Sequence, residues 1–298
     1  MTLKNLDKAP FPWFGGKSKA APAVWALLGD VPHYVEPFYG SGAVLLNRPH
    51  PANRPYSSET VNDLDGYVVN AWRAMQWAPD AMAEAASWPV TEADKQARQI
   101  ALLRWRDSGA GERLAGDAAW YDPVMAGWWA WAVCCQIGAF AGDGPWIADP
   151  TTGQIAKQGR GAAREPGVKR NRPHISNNGQ GVNNPGVREP GVLDPITAEH
   201  GRSALDGWGA EYHDRAMPEL VRWFRHLSAR LRHVRILNGD WKRAVTGGAA
   251  LTLPVRSGKG PVGVFLDPPY ADTANRAKGL YAVDSFDVAH DVRAWALT

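Results

Sequence analysis

The sequence predicts an α/β fold in which a parallel sheet is interrupted by a helical and loop-rich insertion. Two observations favour this class. Short apolar segments that end in glycine or proline turns occur near both ends of the chain, with helical patterns after them, an alternation typical of parallel βα units. The apolar run at residues 264–266 leads directly into Asp-Pro-Pro-Tyr, and such a run is typical of a strand that is covered on both faces.

The first part of the chain alternates between strands and helices. Residues 34–36 form a short predicted strand that leads into a glycine-rich turn, and a helix begins within residues 42–46. Asn62 and Asp63 form a second turn, after which residues 64–76 have the pattern of a helix. This order predicts that the N-terminal segment supplies the first strands of the sheet.

The last part of the chain returns to the same alternation. A helix is predicted over residues 217–230, opened by Pro218, because proline is tolerated in the first turn of a helix. Strands are predicted at residues 234–237 and 263–266, and residues 286–298 have the pattern of a further helix.

The middle of the chain is predicted to be an insertion, residues 77–229, which divides one sheet domain into residues 1–76 and 230–298. Residues 125–140 are apolar almost all round, which predicts a buried helix. Residues 142–210 are dominated by Gly, Pro and Asn, which predicts a long loop region.

Part of this loop region is basic. Between Thr151 and Arg202 the chain carries eight Lys or Arg and four Asp or Glu. Such a segment is either a disordered linker or a surface whose cations meet the phosphates of a nucleic acid. Arginine suits guanine and asparagine suits adenine when bases are read. The candidate contacts are Arg170, Arg172, Asn177, Asn178, Asn183 and Asn184.

Composition sets broad limits on the protein. The net charge of +3 is only mildly basic, which by itself is weak evidence for a polyanionic partner. Cys134 and Cys135 are adjacent, which suits neither a disulfide nor a metal site, so we predict a reducing cytoplasm and no metal. No apolar segment approaches the length of a membrane span, so no membrane partner is expected.

The turn after the first predicted strand combines a carboxylate with glycines. Glu36 ends the strand and Phe38 follows it, while Gly40 and Gly42 let a ligand approach the backbone closely. The turn lacks the lysine and serine of a phosphate-binding loop. Glu36 therefore favours a positively charged or hydroxyl-rich ligand over a nucleoside triphosphate, and a tight turn without any ligand is the alternative.

Three further segments place polar and aromatic side chains near predicted strand ends. A lysine near the start of the chain could pair with a ligand carboxylate, beside a tryptophan that stacks or packs. An acidic residue past the second strand is well placed for ribose hydroxyls, and one past a later strand could accept a hydrogen bond from an adenine amino group. The lysine and tryptophan near the start are Lys17 and Trp13. The acidic residue past the second strand is Asp63, with Asp65 in reserve. The acidic residue past the later strand is Asp240, followed by Trp241.

The last predicted strand ends in a stiff corner, which consists of Asp267, Pro268, Pro269 and Tyr270. The prolines stop the strand and restrict the backbone that follows, because each has a fixed φ and no N–H group. The corner would present a carboxylate, carbonyls outside the sheet and an aromatic ring at the carboxyl edge, where open α/β sheets bind their ligands.

In their order along the chain, these segments resemble the Dam-type (class alpha) adenine-N6-specific DNA methyltransferases, which use S-adenosyl-L-methionine. The resemblance is carried by Trp-Phe-Gly-Gly-Lys at 13–17, Glu-Pro-Phe-Tyr-Gly-Ser-Gly at 36–42, Asn-Asp at 62–63 and Asp-Pro-Pro-Tyr at 267–270. It implies a Rossmann-like S-adenosylmethionine-dependent methyltransferase sheet, with target recognition of double-stranded DNA in the insertion.

The resemblance also implies residue roles. Lys17 would bind the cofactor through its carboxylate and Asp63 through its ribose, while Asp267 and the carbonyl of Pro268 would accept hydrogen bonds from the adenine amino group. The base must first leave the duplex, and stacking on Tyr270 is worth about 1–3 kcal/mol. The implied cofactor-binding residues are Trp13, Lys17, Glu36, Phe38, Gly40, Gly42, Asp63, Asp240 and Trp241, and the implied catalytic residues are Asp267, Pro268, Pro269 and Tyr270.

Other interpretations remain open at this point. Members of the family continue past the corner with further strands, so we expect a missing C-terminal segment or a complementing chain, and weak cofactor binding or none without it. A DNA-binding or protective protein that has the fold but no turnover is one alternative, and a cytosine-N4 or RNA amino-group methyltransferase is another. The atypical insertion favours a freestanding, phage-like modifier, and a member of a restriction-modification system is the alternative.

Overall fold

A computed structural model describes residues 7–13, 15–49, 57–87, 92–135, 147–148, 155–156, 210–246, 260–269 and 287–297. The strands in these ranges are β1 (His33–Glu36), β2 (Ser58–Asp63), β3 (Ile147–Ala148), β4 (Ile155–Ala156), β5 (Val234–Asn238) and β6 (Val262–Val264). The α-helices are α1 (Ala21–Leu28), α2 (Ala43–Leu46), α3 (Gly66–Trp77), α4 (Pro79–Ala86), α5 (Glu92–Trp105), α6 (Gly111–Gly116), α7 (Pro123–Cys135), α8 (Ala210–Leu231), α9 (Lys242–Thr246) and α10 (Val288–Ala296), and a π-helical turn (Arg106–Ala110) joins α5 to α6.

Four parallel strands form the central sheet in the order β5-β2-β1-β6. In the register of β1, His33 lies opposite Ser58 of β2 on one side and Val262 of β6 on the other. The carboxyl ends of neighbouring strands therefore meet at one edge of the sheet, where their following loops come together. This arrangement confirms the predicted α/β class and is compatible with a Rossmann-like methyltransferase sheet.

Helices and loops cover both faces of the sheet. Successive side chains of a strand point to opposite faces, so each face packs into its own apolar cluster. Tyr34 of β1 and Val61 of β2 are buried in the larger core, on the side of α3 and α8. Val35 is buried on the other face in a smaller cluster, where it packs with Trp241 and with Val292 of α10. The turn after β1 is thus held between two packed layers.

The larger core continues from the sheet into the helices of the middle segment. Met82 of α4, Trp131 of α7 and Phe224 of α8 are all fully buried in it, and α7 packs on α3, α4 and α5. This burial agrees with the apolar sequence of α7, although residues 136–140 of the predicted helix lie outside the described ranges. No helix within those ranges is long and apolar enough to span a membrane.

Helix α8 begins at Ala210, earlier than the predicted start at residue 217, and Pro218 lies inside it. The prediction that Pro218 opens the helix was therefore wrong. An interior proline removes one backbone hydrogen bond, but packing of an apolar face supplies most of the stability of a helix in a protein. That face includes Leu220, Phe224 and Leu231, which are buried.

Strand β6 also differs from its prediction, because it ends at Val264 rather than at residue 266. The N–H of Phe265 still donates to the carbonyl of Val35 over 2.9 Å. Of the strand's residues only Gly263 is fully buried, and a Cβ there would lie 2.8 Å from Cγ2 of Val31. The strand is close-packed at its centre and only partly covered at its ends.

Most of the predicted loop region 142–210 lies outside the described residues, as do its six candidate DNA contacts and Tyr270. The part that is described contains β3 and β4, which pair as antiparallel strands. These two short strands lie within the predicted loop region, which otherwise stays a prediction.

Candidate active site

The described residues enclose a small, half-open cavity of about 20 Å³ at the carboxyl edge of the sheet, between the turn after β1 and the residues after β6. The segment that precedes α1 forms its third wall. The lining residues are Trp13, Gly15, Gly16, Lys17, Glu36, Phe38, Tyr39, Gly40, Ser41, Ala43, Val44 and Asp267. Segments from both ends of the chain, which the sequence analysis singled out separately, therefore share one cavity.

The turn after β1 requires its glycines. Gly40 and Gly42 have φ values of 46° and 64°, in the left-handed region that residues with a side chain rarely adopt. A Cβ at Gly40 would lie 2.4 Å from Nε1 of Trp13, and one at Gly42 would lie 2.6 Å from the hydroxyl oxygen of Tyr39. Trp72 further fixes the turn, because its Nε1 donates to the carbonyl of Gly40 over 2.8 Å.

Asp63 joins the end of β2 to the glycine turn. Its Oδ2 accepts the N–H of Gly40 over 2.8 Å, and its Oδ1 accepts the N–H of Asp65 over 2.9 Å. Burial raises the pKa of Asp63, while these backbone N–H groups act to lower it. The carboxylate thus has a structural role, which is compatible with its predicted contact to a ribose.

Asp65, the reserve candidate for that contact, has a local role at the start of α3. Its Oδ1 accepts the N–H of Tyr67 over 2.8 Å, which is the usual way in which an aspartate caps a helix.

Asn62 ties the loops at three strand ends together. Its Nδ2 donates to the carbonyl of Pro37 over 3.1 Å and to that of Gly239 over 2.9 Å. The N–H of Gly239 in turn donates to the carbonyl of Asp63 over 3.0 Å. The sequence analysis did not assign this bracing role, although the Asn-Asp pair at a strand end was its visible sign.

Glu36 lies at the base of the cavity and is 2% exposed. Its Oε2 accepts the hydroxyl of Tyr34 over 2.9 Å. Burial raises the pKa of Glu36 well above its usual value, and the nearby carboxylates of Asp267 and Asp63 raise it further. Within the described residues no cationic side chain forms an ion pair with Glu36, so a cationic ligand or a proton would be its natural complement.

Lys17 and Asp267 form an ion pair across the cavity. The Nζ of Lys17 lies 2.7 Å from Oδ2 of Asp267 and also donates to the carbonyl of Gly15 over 2.8 Å. Burial raises the pKa of Asp267, and Lys17 acts to lower it. Lys17, which is predicted to bind the cofactor, thus contacts Asp267, which is predicted to bind the target base.

Only the first part of the Asp-Pro-Pro-Tyr corner is described. Pro268 and Pro269 follow Asp267 and are half-buried, whereas Tyr270 lies outside the described residues. The predicted roles of the two prolines and of Tyr270 stay predictions.

Asp240 and Trp241 do not line the cavity. Asp240 is exposed, and its Oδ1 accepts the N–H of Lys242 over 2.9 Å. Trp241 is 4% exposed and stacks on Phe38, with ring centroids 6.2 Å apart and an interplanar angle of 28°. Phe38 is half-buried and does line the cavity. Trp241 therefore supports Phe38 from behind, and its own predicted cofactor contact stays a prediction.

Tyr39 is a cavity residue that the sequence analysis did not propose. Its hydroxyl is buried, and no described residue forms a hydrogen bond with it. Burial raises the pKa of Tyr39 well above its usual value, so the hydroxyl stays protonated. Its position between Phe38 and the left-handed Gly40 was the signal that could have identified it.

The comparison with known families agrees with the resemblance found in the sequence. The model of the family described as D12 class N6 adenine-specific DNA methyltransferase matches residues 13–99. This range contains Trp13, Lys17, the glycine turn and the end of β2, and the match confirms the resemblance. It extends past residue 77, where the insertion was predicted to begin, and the division into domains stays a prediction. No curated protein matches the chain.

Proposed function

We propose that the protein, whose residues 13–99 match N6 adenine-specific DNA methyltransferases, transfers a methyl group from S-adenosylmethionine to N6 of adenine in double-stranded DNA. The observation that carries this proposal is the shared cavity, because Asp267 lines it together with Lys17 and the glycine turn. Because these residues adjoin one another, ligands bound to them would have their reacting groups held close together.

The charges of the cavity fit this cofactor. S-adenosylmethionine carries a carboxylate, an ammonium group and a sulfonium, so its net charge is positive. The cavity offers one ammonium group, on Lys17, and two carboxyl groups, on Glu36 and Asp267. Lys17 would hold the cofactor carboxylate, and Glu36 would ionise as the cofactor ammonium group arrives, because a nearby cation lowers the pKa of a carboxyl group.

Phe38 and Trp13 in the cavity, together with Asp63 and Trp241 beside it, would position the nucleoside part. Asp63 already accepts two backbone N–H groups, but a carboxylate has lone pairs for further donors, so a ribose hydroxyl would complete its set. The rings of Phe38 and Trp13 would flank the adenine, with Trp241 behind Phe38.

The corner after β6 would activate the target base. When bound, the cofactor supplies a methyl group that its sulfonium has already activated. The exocyclic nitrogen of adenine is a poor nucleophile because its lone pair is delocalised into the ring. Asp267 and the carbonyl of Pro268 would accept its two N–H groups and favour a tetrahedral nitrogen, which is an effect of position and electrostatics.

The base would reach this corner by leaving the duplex. Extrusion costs a few kcal/mol, and stacking on Tyr270 would offset about 1–3 kcal/mol of that cost. The fixed φ angles of Pro268 and Pro269 would keep the ring and the carbonyl in place.

We assign recognition of the DNA sequence to the insertion at residues 77–229. The basic segment within residues 151–202 would meet the phosphates, so DNA affinity should fall steeply as the salt concentration rises. Such a DNA substrate implies a location in the cytoplasm of a bacterial or phage-infected cell.

A transfer assay with labelled S-adenosylmethionine and unmethylated duplex DNA tests the proposal. We expect label in the DNA and N6-methyladenine after digestion to nucleosides. Asp267→Ala should abolish transfer while sparing part of the cofactor binding. Glu84→Gln removes a carboxylate that is exposed on α4 and does not line the cavity, so this control should retain full activity.

The other outcomes of this assay identify other functions. DNA binding without transfer by the wild-type chain would indicate a protective or DNA-binding protein. Label in N4-methylcytosine would move the substrate to a different base. Full activity of Asp267→Ala would exclude the role given to the corner.

A further inference from the structure

The Lys17–Asp267 ion pair lies where the two proposed ligands would meet. Its side chains are 25% and 26% exposed, and both line the cavity. The pair is therefore partly shielded from bulk water and still within reach of a ligand that enters the cavity.

The two proposed ligands make opposing demands on this pair. The carboxylate of the cofactor must come within hydrogen-bonding distance of Lys17, next to a position that the Asp267 carboxylate already holds at 2.7 Å. Two carboxylates that share one ammonium group repel each other, and the repulsion is stronger where the groups are partly removed from water.

The surroundings offer no second cation to relieve this competition. Among the described residues that line the cavity, Lys17 carries the only positive charge. The Glu36 carboxyl group adds further negative charge when it ionises. The arriving cofactor carboxylate therefore gains its contact with Lys17 at the expense of Asp267.

We propose that the Lys17–Asp267 contact is a latch that the cofactor opens. In the cofactor-free protein, Lys17 neutralises Asp267 and holds it at the cavity wall. The cofactor carboxylate takes over Lys17, and the Asp267 carboxylate becomes available to the amino group of an extruded adenine. The cofactor thus binds before the base. This inference rests on the proposed function, because it assigns a binding order to the same two ligands.

Calorimetric titration of the whole chain into the millimolar range tests the latch with two ligands. S-adenosylhomocysteine carries the carboxylate and the ammonium group but no sulfonium, so attraction between a sulfonium and Asp267 does not contribute. Asp267→Asn should tighten its binding by about threefold or more, because the competing charge is gone. 5′-Methylthioadenosine lacks the amino-acid part, and its affinity should stay unchanged.

Matched variants separate competition from a general effect of charge or folding. Glu84→Gln makes the same change in net charge outside the cavity and should bind both ligands like the wild type. Lys17→Met should weaken binding of S-adenosylhomocysteine while leaving 5′-methylthioadenosine unaffected. Thermal unfolding midpoints of Asp267→Asn and Lys17→Met should lie close to that of the wild type, because the exchanged side chains are partly exposed.

Each contrary result has a separate meaning. If Asp267→Asn binds S-adenosylhomocysteine as well as or less tightly than the wild type, there is no latch, and the proposed function still stands. A parallel change in the affinities of both ligands would also overturn the latch. A wild-type chain that binds neither ligand at millimolar concentration would overturn the proposed function and the latch together.

Discussion

The structure contains two charged clusters that differ in the ratio of cations to carboxylates. In the arginine cluster (Arg48, Glu59 and Arg230), the Glu59 carboxylate accepts one hydrogen bond from Arg48 over 2.9 Å and two from Arg230 over 2.8 and 2.9 Å. The side chains are 3%, 3% and 11% exposed. Two guanidinium groups thus neutralise a single buried carboxylate, which leaves it no uncompensated charge to attract a ligand.

The cavity cluster (Lys17, Glu36 and Asp267) has the opposite ratio. One ammonium group serves two carboxyl groups, and Lys17 contacts only Asp267 of the two. Glu36 has the hydroxyl of Tyr34 as a side-chain partner. The comparison teaches that a buried charge alone does not mark a functional site, whereas a carboxyl group with too few cationic partners does.

The largest expected effect on stability comes from breaking the arginine cluster. Glu59→Gln removes the counter-charge of two buried guanidinium groups, and loss of one partner from a buried ionic group typically costs ~3–5 kcal/mol. Arg48 also donates to the carbonyl of Val31, and Arg230 to that of Leu45 over 3.0 Å. The destabilisation should therefore extend to the loop before β1 and to α2, where these two carbonyl groups lie.

Denaturant unfolding at neutral pH measures this loss. Glu84→Gln is the matched control, because an exposed substitution of this kind usually changes stability by no more than about 0.5 kcal/mol. If Glu59→Gln lowered the free energy of unfolding by less than about 1 kcal/mol, the arginine cluster would stabilise the protein no more than surface ion pairs do. The contrast with the cavity cluster would then not hold.

The same substitution in the cavity cluster should act in the opposite direction. Burial raises the pKa of Glu36, so the folded state binds this proton more tightly than the unfolded state does. The stability that this carboxyl group contributes is complete below its unfolded pKa, about 4.3, and is lost as the pH rises through the folded value. Glu36→Gln cannot ionise and keeps an acceptor for Tyr34, so we expect it to be more stable than the wild type near pH 8.

Unfolding curves of the wild type and of Glu36→Gln at two pH values test this expectation. The difference should be present near pH 8 and should nearly vanish near pH 4, where the Glu36 carboxyl group is largely protonated in both states. A variant that is less stable than the wild type near pH 8 would show that Glu36 is ionised and paired in the folded protein, as Glu59 is.

The sequence was sufficient to predict the part of the site that depends on strand ends. Glu36 and Asp267 each follow an apolar run that ends in a turn, and parallel strands bring such ends to the same edge. Gly40 and Gly42 were predictable because only a close approach or a left-handed turn explains glycines at that spacing. The α/β class followed from the same alternation.

The contacts of the two clusters were not predictable in this way. Lys17 meets Asp267 because the segment before α1 folds back over the sheet edge, and no local pattern encodes that path. Glu59 meets Arg230 across a separation of 171 residues, which only the packing of α8 against the sheet establishes. The start of α8 was misplaced because Pro218 has the local signature of a helix start, whereas the packing of its apolar face determined the outcome.

The smallest expected effect concerns the exposed pair of Arg225 on α8 and Asp80 on α4. Like Arg230 with Glu59, Arg225 binds its partner through two hydrogen bonds, since its Nε and Nη2 donate to the two carboxylate oxygens over 2.8 and 2.6 Å. The side chains are, however, 63% and 55% exposed, so water and salt screen the attraction. Arg225→Ala should therefore leave the denaturation midpoint unchanged within error at physiological salt. If Arg225→Ala were as destabilising as Glu59→Gln, burial would not determine how much a charged cluster stabilises this protein. Hydrogen-bond geometry would then be the determining factor.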